Sequence, residues 1–305
     1  MNANQQLWLG RLQKLRPNVS NSRGNGNARF APHKPLLLLC ILDLADSSEL
    51  ANQNLGKSPE LRLRFDSYWS LVQSRWGGRP GLDLPFHHLG SQGFWDPLRL
   101  DRKVSNSADT TTSVRFNRDF FEILQDASFR RLARFILIRS WFPDHEQQGL
   151  LAAMGIGKAE AQKAAFKLRE DSQEYQSKGR DARFRIVVVT QYRFSCALTG
   201  YGCHTSKGAT LVEAAHVHAF SKSRNDNPDN GLALTRDAHW MFDEGLWTVD
   251  ESKRVCVAPT VFTEWGPEAS WLKSRNGAPL HFLDGVMLRP SEEHLGWHRR
   301  NVFCG

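Results

Sequence analysis

The segment EAAHVHAF places His216 and His218 two residues apart in an apolar run, and RDAHWMFD further on places His239 and Asp243 four apart. An i, i+4 His/Asp pair projects from one face of a helix, where an imidazole nitrogen and a carboxylate oxygen make a two-donor seat for a divalent cation. Such an ion neutralises charge on a phosphorane-like transition state and on the leaving 3′ oxygen. A strand histidine facing that pair is suited to take a proton from water for attack on phosphorus. Between them, the polar loop SKSRNDNPDNG carries Asn230, whose amide can hold both the loop and the ring of the base. The chemistry these residues suit is metal-assisted phosphodiester hydrolysis. A His-x-His pair alone is also compatible with a solvated strand face.

These side chains need a strand, a loop and a helix to hold them. LVEAAHVHAF predicts a strand, with His216 and His218 on one face and Ala215 and Val217 on the other. Thr235 to Phe242 predicts a short helix. Upstream, FRIVVVTQYRF reads as helix or strand and SCALTGYGC as a turn-rich hairpin. The resulting module spans residues 182–305. Before it, 145–181 is alanine-rich, polar and poor in large apolar residues, which predicts a helical linker over 151–181.

Residues 1–150 read as a mixed α/β domain, giving the chain an α+β fold class. A helix over Gln5 to Leu15 precedes SNSRGNGNARF, a polar loop bearing Arg23 and Arg29. PLLLLCILDLA predicts a buried helix beginning near Pro35. It is too short to span a bilayer and is broken by Asp43. LRLRFDSYWSLVQSRW alternates like a strand and then takes helical spacing. GGRPGLDLPFHHLGSQGFWDPLRL, which includes Arg79, has the turn signals of a loop-rich β region. DFFEILQDASFRRLARFILIRSWF reads as one amphipathic helix.

The chain has 305 residues, 40% of them hydrophobic and 24% charged, with a net charge of +8, which is the balance of a globular protein with a polyanionic partner. The N-terminus has no basic-then-apolar leader, so a cytoplasmic protein is expected. Five scattered cysteines without a Cys-x-x-Cys pair favour reduced thiols over a structural zinc, although Cys196, Cys203 and His204 lie close in sequence.

EAAHVHAF followed by DNPDNGLALTRDAHWMFDEGLWTV resembles the HNH nuclease motif, a ββα-metal fold, in the form found in bacterial restriction endonucleases; CALTG and GWHRRNVF are also similar to that subfamily. The resemblance implies His216 as general base, Asn230 as the middle residue, His239 as metal ligand and one divalent ion such as Mg2+ or Mn2+ per site. Ala215 stands where many HNH nucleases carry a second ligand, so Asp243 is the leading replacement, with Glu213 and His218 as weaker candidates. In the N-terminal half, RFAPHKP and DLPFHHLGSQGFW resemble the DNA sulfur-binding domain of modification-dependent restriction enzymes that recognise phosphorothioated DNA. By that resemblance His33 and Lys34 contact the modified phosphate, and Leu84, Pro85 and His88 help to line the sulfur pocket; Arg23, Arg29 and Arg79 are candidates for flanking phosphates or base edges. Read from the residues alone, the same stretches also fit a Pro-capped core helix and an aromatic-rich core loop. The expected function is cleavage of double-stranded phosphorothioate DNA, with a homodimer plausible for double-strand cutting. An HNH nuclease for methylated or unmodified DNA and an inactive DNA-binding regulator are the alternatives.

Overall fold

The computed structural model describes residues 3–17, 19–20, 29–76, 80–164, 173–282 and 289–305. The chain divides into two compact units, residues 1–183 with 206–208 and residues 184–205 with 209–305. The segment expected as a linker, 151–181, falls inside the first unit.

The first unit contains α1 (Ala3–Gln13), a two-stranded ribbon of β1 (Val19–Ser20) and β2 (Arg29–Phe30), α2 (His33–Asp46) and β3 (Asn54–Gly56). These are followed by α3 (Pro59–Trp76), α4 (Asp83–His88), β4 (Trp95–Leu98), β5 (Ser113–Phe116), α5 (Arg118–Leu124), α6 (Ala127–Trp141), α7 (Asp144–Ala153) and α8 (Lys158–Lys163). Strands β3, β5 and β4 form an antiparallel sheet in that order. Helix α2 is the core element: every residue from Leu36 to Leu42 is at most 2% exposed. A helix apolar all round is stable only when neighbours cover it, and α3, α4 and α6 pack against it.

Three expectations are corrected here. The ambiguous segment is one continuous helix, α3, because Leu61, Phe65, Tyr68, Trp69 and Val72 form a buried helical stripe. The expected loop-rich β region opens as helix α4, with Pro85 in the first turn, where its missing N–H breaks no helical bond. The single amphipathic helix is two, α5 and α6: Asp126 accepts from the Ser128 N–H at 2.8 Å and caps a fresh start.

The boundary between the units falls within α9 (Gln173–Gln191). The second unit holds its last part, then β6 (Val212–His216), the single turn α10 (Phe220–Ser223), β7 (Gly231–Thr235), α11 (Arg236–Asp243), the β8 (Trp247–Val249) and β9 (Val255–Val257) hairpin, and α12 (Glu292–Asn301). Antiparallel β6 and β7 with α11 make the ββα unit. Strand β6 ends at His216, so His218 does not share its face with it as expected. All five cysteines are free. Among the described residues no helix is long and apolar enough to cross a membrane.

Candidate functional site

His216 is the last residue of β6 and lies in register with Gly231, the first of β7. Its imidazole stacks on Phe184 of α9, with ring centroids 3.9 Å apart and planes 7° from parallel. Gly231 permits that stack: a Cβ there would lie 2.4 Å from Val188 Cγ2 and 3.0 Å from the Phe184 ring. His216 Nε2 is 3.1 Å from Asp226 Oδ1, and the Asp226 side chain is 5% exposed. In the tautomer whose Nε2–H donates to Asp226, Nδ1 carries the lone pair that a general base needs. Neither Phe184, Asp226 nor Gly231 was singled out from sequence. The signal for Asp226 was an acid ten residues beyond the base in an Asn-rich loop.

Asn230 is fully buried, and both its amide oxygen and its amide nitrogen are hydrogen-bonded. Oδ1 accepts from the His218 N–H at 2.7 Å, and Nδ2 donates to the carbonyls of His218 and Asn225, each at 3.0 Å. It pins the loop between β6 and β7 at two points, and none of these bonds runs to the ring of His216; that ring is held by Asp226 and Phe184 instead. His218 turns away and stacks on Trp297 of α12 at 3.9 Å. Partial burial lowers its affinity for a proton below the ordinary imidazole value, with His294 adding to the effect.

On α11, His239 Nε2 and Asp243 Oδ2 lie 3.4 Å apart. That gap suits two donors sharing an ion at about 2.0–2.2 Å from each. His239 Nδ1 faces Glu213 Oε1 at 2.8 Å, so Glu213 orients the ring from behind. Desolvation raises the Asp243 carboxyl above its ordinary value; His239 and His216 oppose this, and Glu244 and Glu213 reinforce it. Among the described residues no group of three or more His, Cys, Asp or Glu is gathered to hold a metal. One imidazole nitrogen and one carboxylate oxygen would leave the remaining positions of a divalent ion to water and substrate phosphate.

In the N-terminal unit a separate cavity of about 190 Å³ is lined by Pro17, Ala31, His33, Lys34, Trp76, Leu84, Pro85 and His88. Five of the eight were singled out from sequence, from two stretches about fifty residues apart. His33 packs on Trp69 with centroids 4.5 Å apart, and Leu84 is 56% exposed at the wall. Lys34 Nζ donates to the Arg16 carbonyl at 2.5 Å; desolvation, aided by the Arg16 cation, holds its pKa below the usual lysine value. His87 points elsewhere, to Thr111 Oγ1 at 2.8 Å. Arg23 and Arg79 lie outside the described residues, and Arg29 is described only as backbone of β2.

Residues 196–250 match the family model described as HNH endonuclease. That span contains β6, the Asn230 loop, β7 and α11, so the second unit carries an HNH endonuclease domain. Among solved structures, a modification-dependent TagI restriction endonuclease is similar at 19% identity and a TM-score of 0.32, over 40% of this chain and 38% of that one. The chain thus spans well under two thirds of that protein. No curated protein matches the chain.

Proposed function

We propose that the protein is a modification-dependent restriction endonuclease that binds phosphorothioate-modified double-stranded DNA through its N-terminal unit and hydrolyses a nearby phosphodiester at its HNH domain. The observation that carries the selector is the 190 Å³ cavity, where Leu84, Pro85 and Trp76 meet His33, Lys34 and His88. Sulfur in place of a non-bridging oxygen is larger, more polarisable and less strongly hydrated. The proline and leucine surface desolvates sulfur at less cost than oxygen, while Lys34 and the histidines answer the charge that the phosphate keeps. Discrimination by one atom of this kind is worth roughly 1–3 kcal/mol, so flanking contacts supply the rest of the affinity.

At the nuclease site, His216 takes the proton of the attacking water at Nδ1, held in plane by Phe184 and in tautomer by Asp226. His239 and Asp243 would hold one divalent ion, which when bound supplies charge neutralisation for the phosphate and the leaving oxygen. Glu213 keeps the Nε2 lone pair of His239 directed outward by accepting from Nδ1–H. Asn230 fixes the loop that carries Asp226 against the end of β6.

A binding titration without divalent metal tests the selector, using paired duplexes identical except for one phosphorothioate linkage. Tighter binding of the sulfur duplex, reduced in Pro85→Ala and His33→Ala, is expected. Equal affinity for both sulfur stereoisomers and for the plain duplex, across several sequence contexts, would leave an HNH nuclease with another DNA target.

A further inference from the structure

We propose that a second cavity of the N-terminal unit, about 420 Å³ and lined by Gln6, Leu7, Gly10, Arg11, Lys14, Arg16, Gln92 and Phe94, binds an unmodified phosphodiester adjoining the linkage held in the selector cavity. This rests on the reading of the 190 Å³ cavity as the selector.

The walls of the two cavities are continuous along the chain. Arg16 lines the larger and Pro17 the smaller; Gln92 lines the larger and His88 the smaller. The segments are tied together, because the Arg16 N–H donates to Gln92 Oε1 at 2.8 Å and an Arg16 guanidinium N–H donates to the Ser91 carbonyl at 3.0 Å. Lys34 reaches across from the selector to the Arg16 carbonyl. The two cavities therefore adjoin, within reach of neighbouring phosphates of one strand, which are spaced about 3.4 Å along the helix axis.

The larger cavity is built for an anion. It contains three cations and no carboxylate. Arg11 lies over the Trp8 ring at 4.4 Å, and among the described residues neither Arg11, Lys14 nor Arg16 forms an ion pair with an acid. Gln92 has spent its oxygen on Arg16, and its Nε2 has no hydrogen-bond partner among the described residues. Two guanidinium groups and an ammonium are the complement of a phosphate. Space is available as well, since a Cβ on Gly10 would meet nothing within 4 Å.

The test uses the full chain, the paired duplexes and a salt series. Removing Lys14 and Arg11 charge (Lys14→Gln with Arg11→Gln) should weaken both duplexes about tenfold and flatten the slope of log affinity on log salt by about one or two, leaving the sulfur preference unchanged. Gly10→Glu adds a carboxylate at a position where a Cβ meets nothing within 4 Å and should weaken binding similarly. A neutral methylphosphonate placed singly along the strand should cost the wild type affinity at one position beside the phosphorothioate and cost the double variant nothing there. Wild-type salt slopes in both Gly10→Glu and the double variant, with the sulfur preference intact, would overturn this site and keep the selector. No sulfur preference in the wild type, with slopes that still fall in the variants, would sink the selector reading and keep this cavity as a DNA-backbone contact.

Discussion

His298 offers a pH test of how α11 is held. It is 2% exposed and stacks on Phe242, with centroids 3.6 Å apart and planes 9° from parallel. Its Nε2–H donates to the Phe242 carbonyl at 3.1 Å, and Nδ1 accepts from the Thr248 hydroxyl at 2.9 Å. Phe242 precedes Asp243 and follows His239 by three residues, so this neutral imidazole backs the helix that bears both candidate ligands. Burial pushes its pKa down to about 4; the Phe242 carbonyl opposes the shift and the Arg299 cation adds to it. Because the folded value lies below the unfolded value of about 6.5, the unfolded chain takes up the proton first. The contribution is therefore complete above pH 6.5 and is lost as pH falls toward 4. With those two values the loss is about 2 kcal/mol at pH 5 and about 3 kcal/mol at pH 4. Urea unfolding, read by pulsed hydrogen exchange on peptides from α11, β8 and α12, measures it in wild type and in His298→Gln. The variant keeps a donor and an acceptor but does not titrate, so the stability difference between the two cancels other groups. A difference that stays flat from pH 7.5 to pH 4.5 would refute the argument.

Other residues of the site give equally direct outcomes. Asp226→Asn should lower kcat by roughly ten- to a hundred-fold, part of the 10²–10⁴ that a general base supplies, with DNA affinity unchanged in a filter-binding assay. Glu213→Gln should raise the Mg2+ concentration at half-maximal cleavage about 10–100-fold, the usual effect of removing an acid behind a ligand histidine. Gly231→Ala forces a methyl against Val188 and Phe184; about 1–3 kcal/mol of stability and most of the activity should go with it, measured by thermal melting and nicking of plasmid DNA.

The residues legible in the sequence are those whose chemistry depends on local spacing. His239 and Asp243 share a helical face because they are four apart, and Asn230 sits at the end of a turn-rich loop before a strand. The partner of His216 was not legible, because an acid in a polar Asn-rich loop looks like any turn residue until the loop folds back. Phe184 was hidden for a different reason: it reaches His216 only because Gly231 lacks a side chain, and that glycine reads as a turn signal. In the N-terminal unit, His33, Lys34, Leu84, Pro85 and His88 line one cavity together with Trp76, which the ambiguous segment concealed. That segment misled because Arg64 occupies a buried position on the helix, 2% exposed and paired with Asp43 at 2.8 Å and Glu49 at 2.9 Å. A charged residue on the inner face breaks the hydrophobic period and leaves LRLRF looking like a strand. The stop between α5 and α6 was masked likewise, since the apolar pattern runs straight through the Asp126 cap.

The central claim joins a sulfur-reading unit to a histidine-based nuclease in one chain, and cleavage of the paired duplexes tests it most directly. With Mg2+ or Mn2+ present, the wild type should cut the phosphorothioate duplex near the modified linkage and leave the plain duplex intact. His216→Ala should bind the sulfur duplex as tightly and cut neither. Equal cutting of both duplexes, or cutting that survives His216→Ala, would contradict the account.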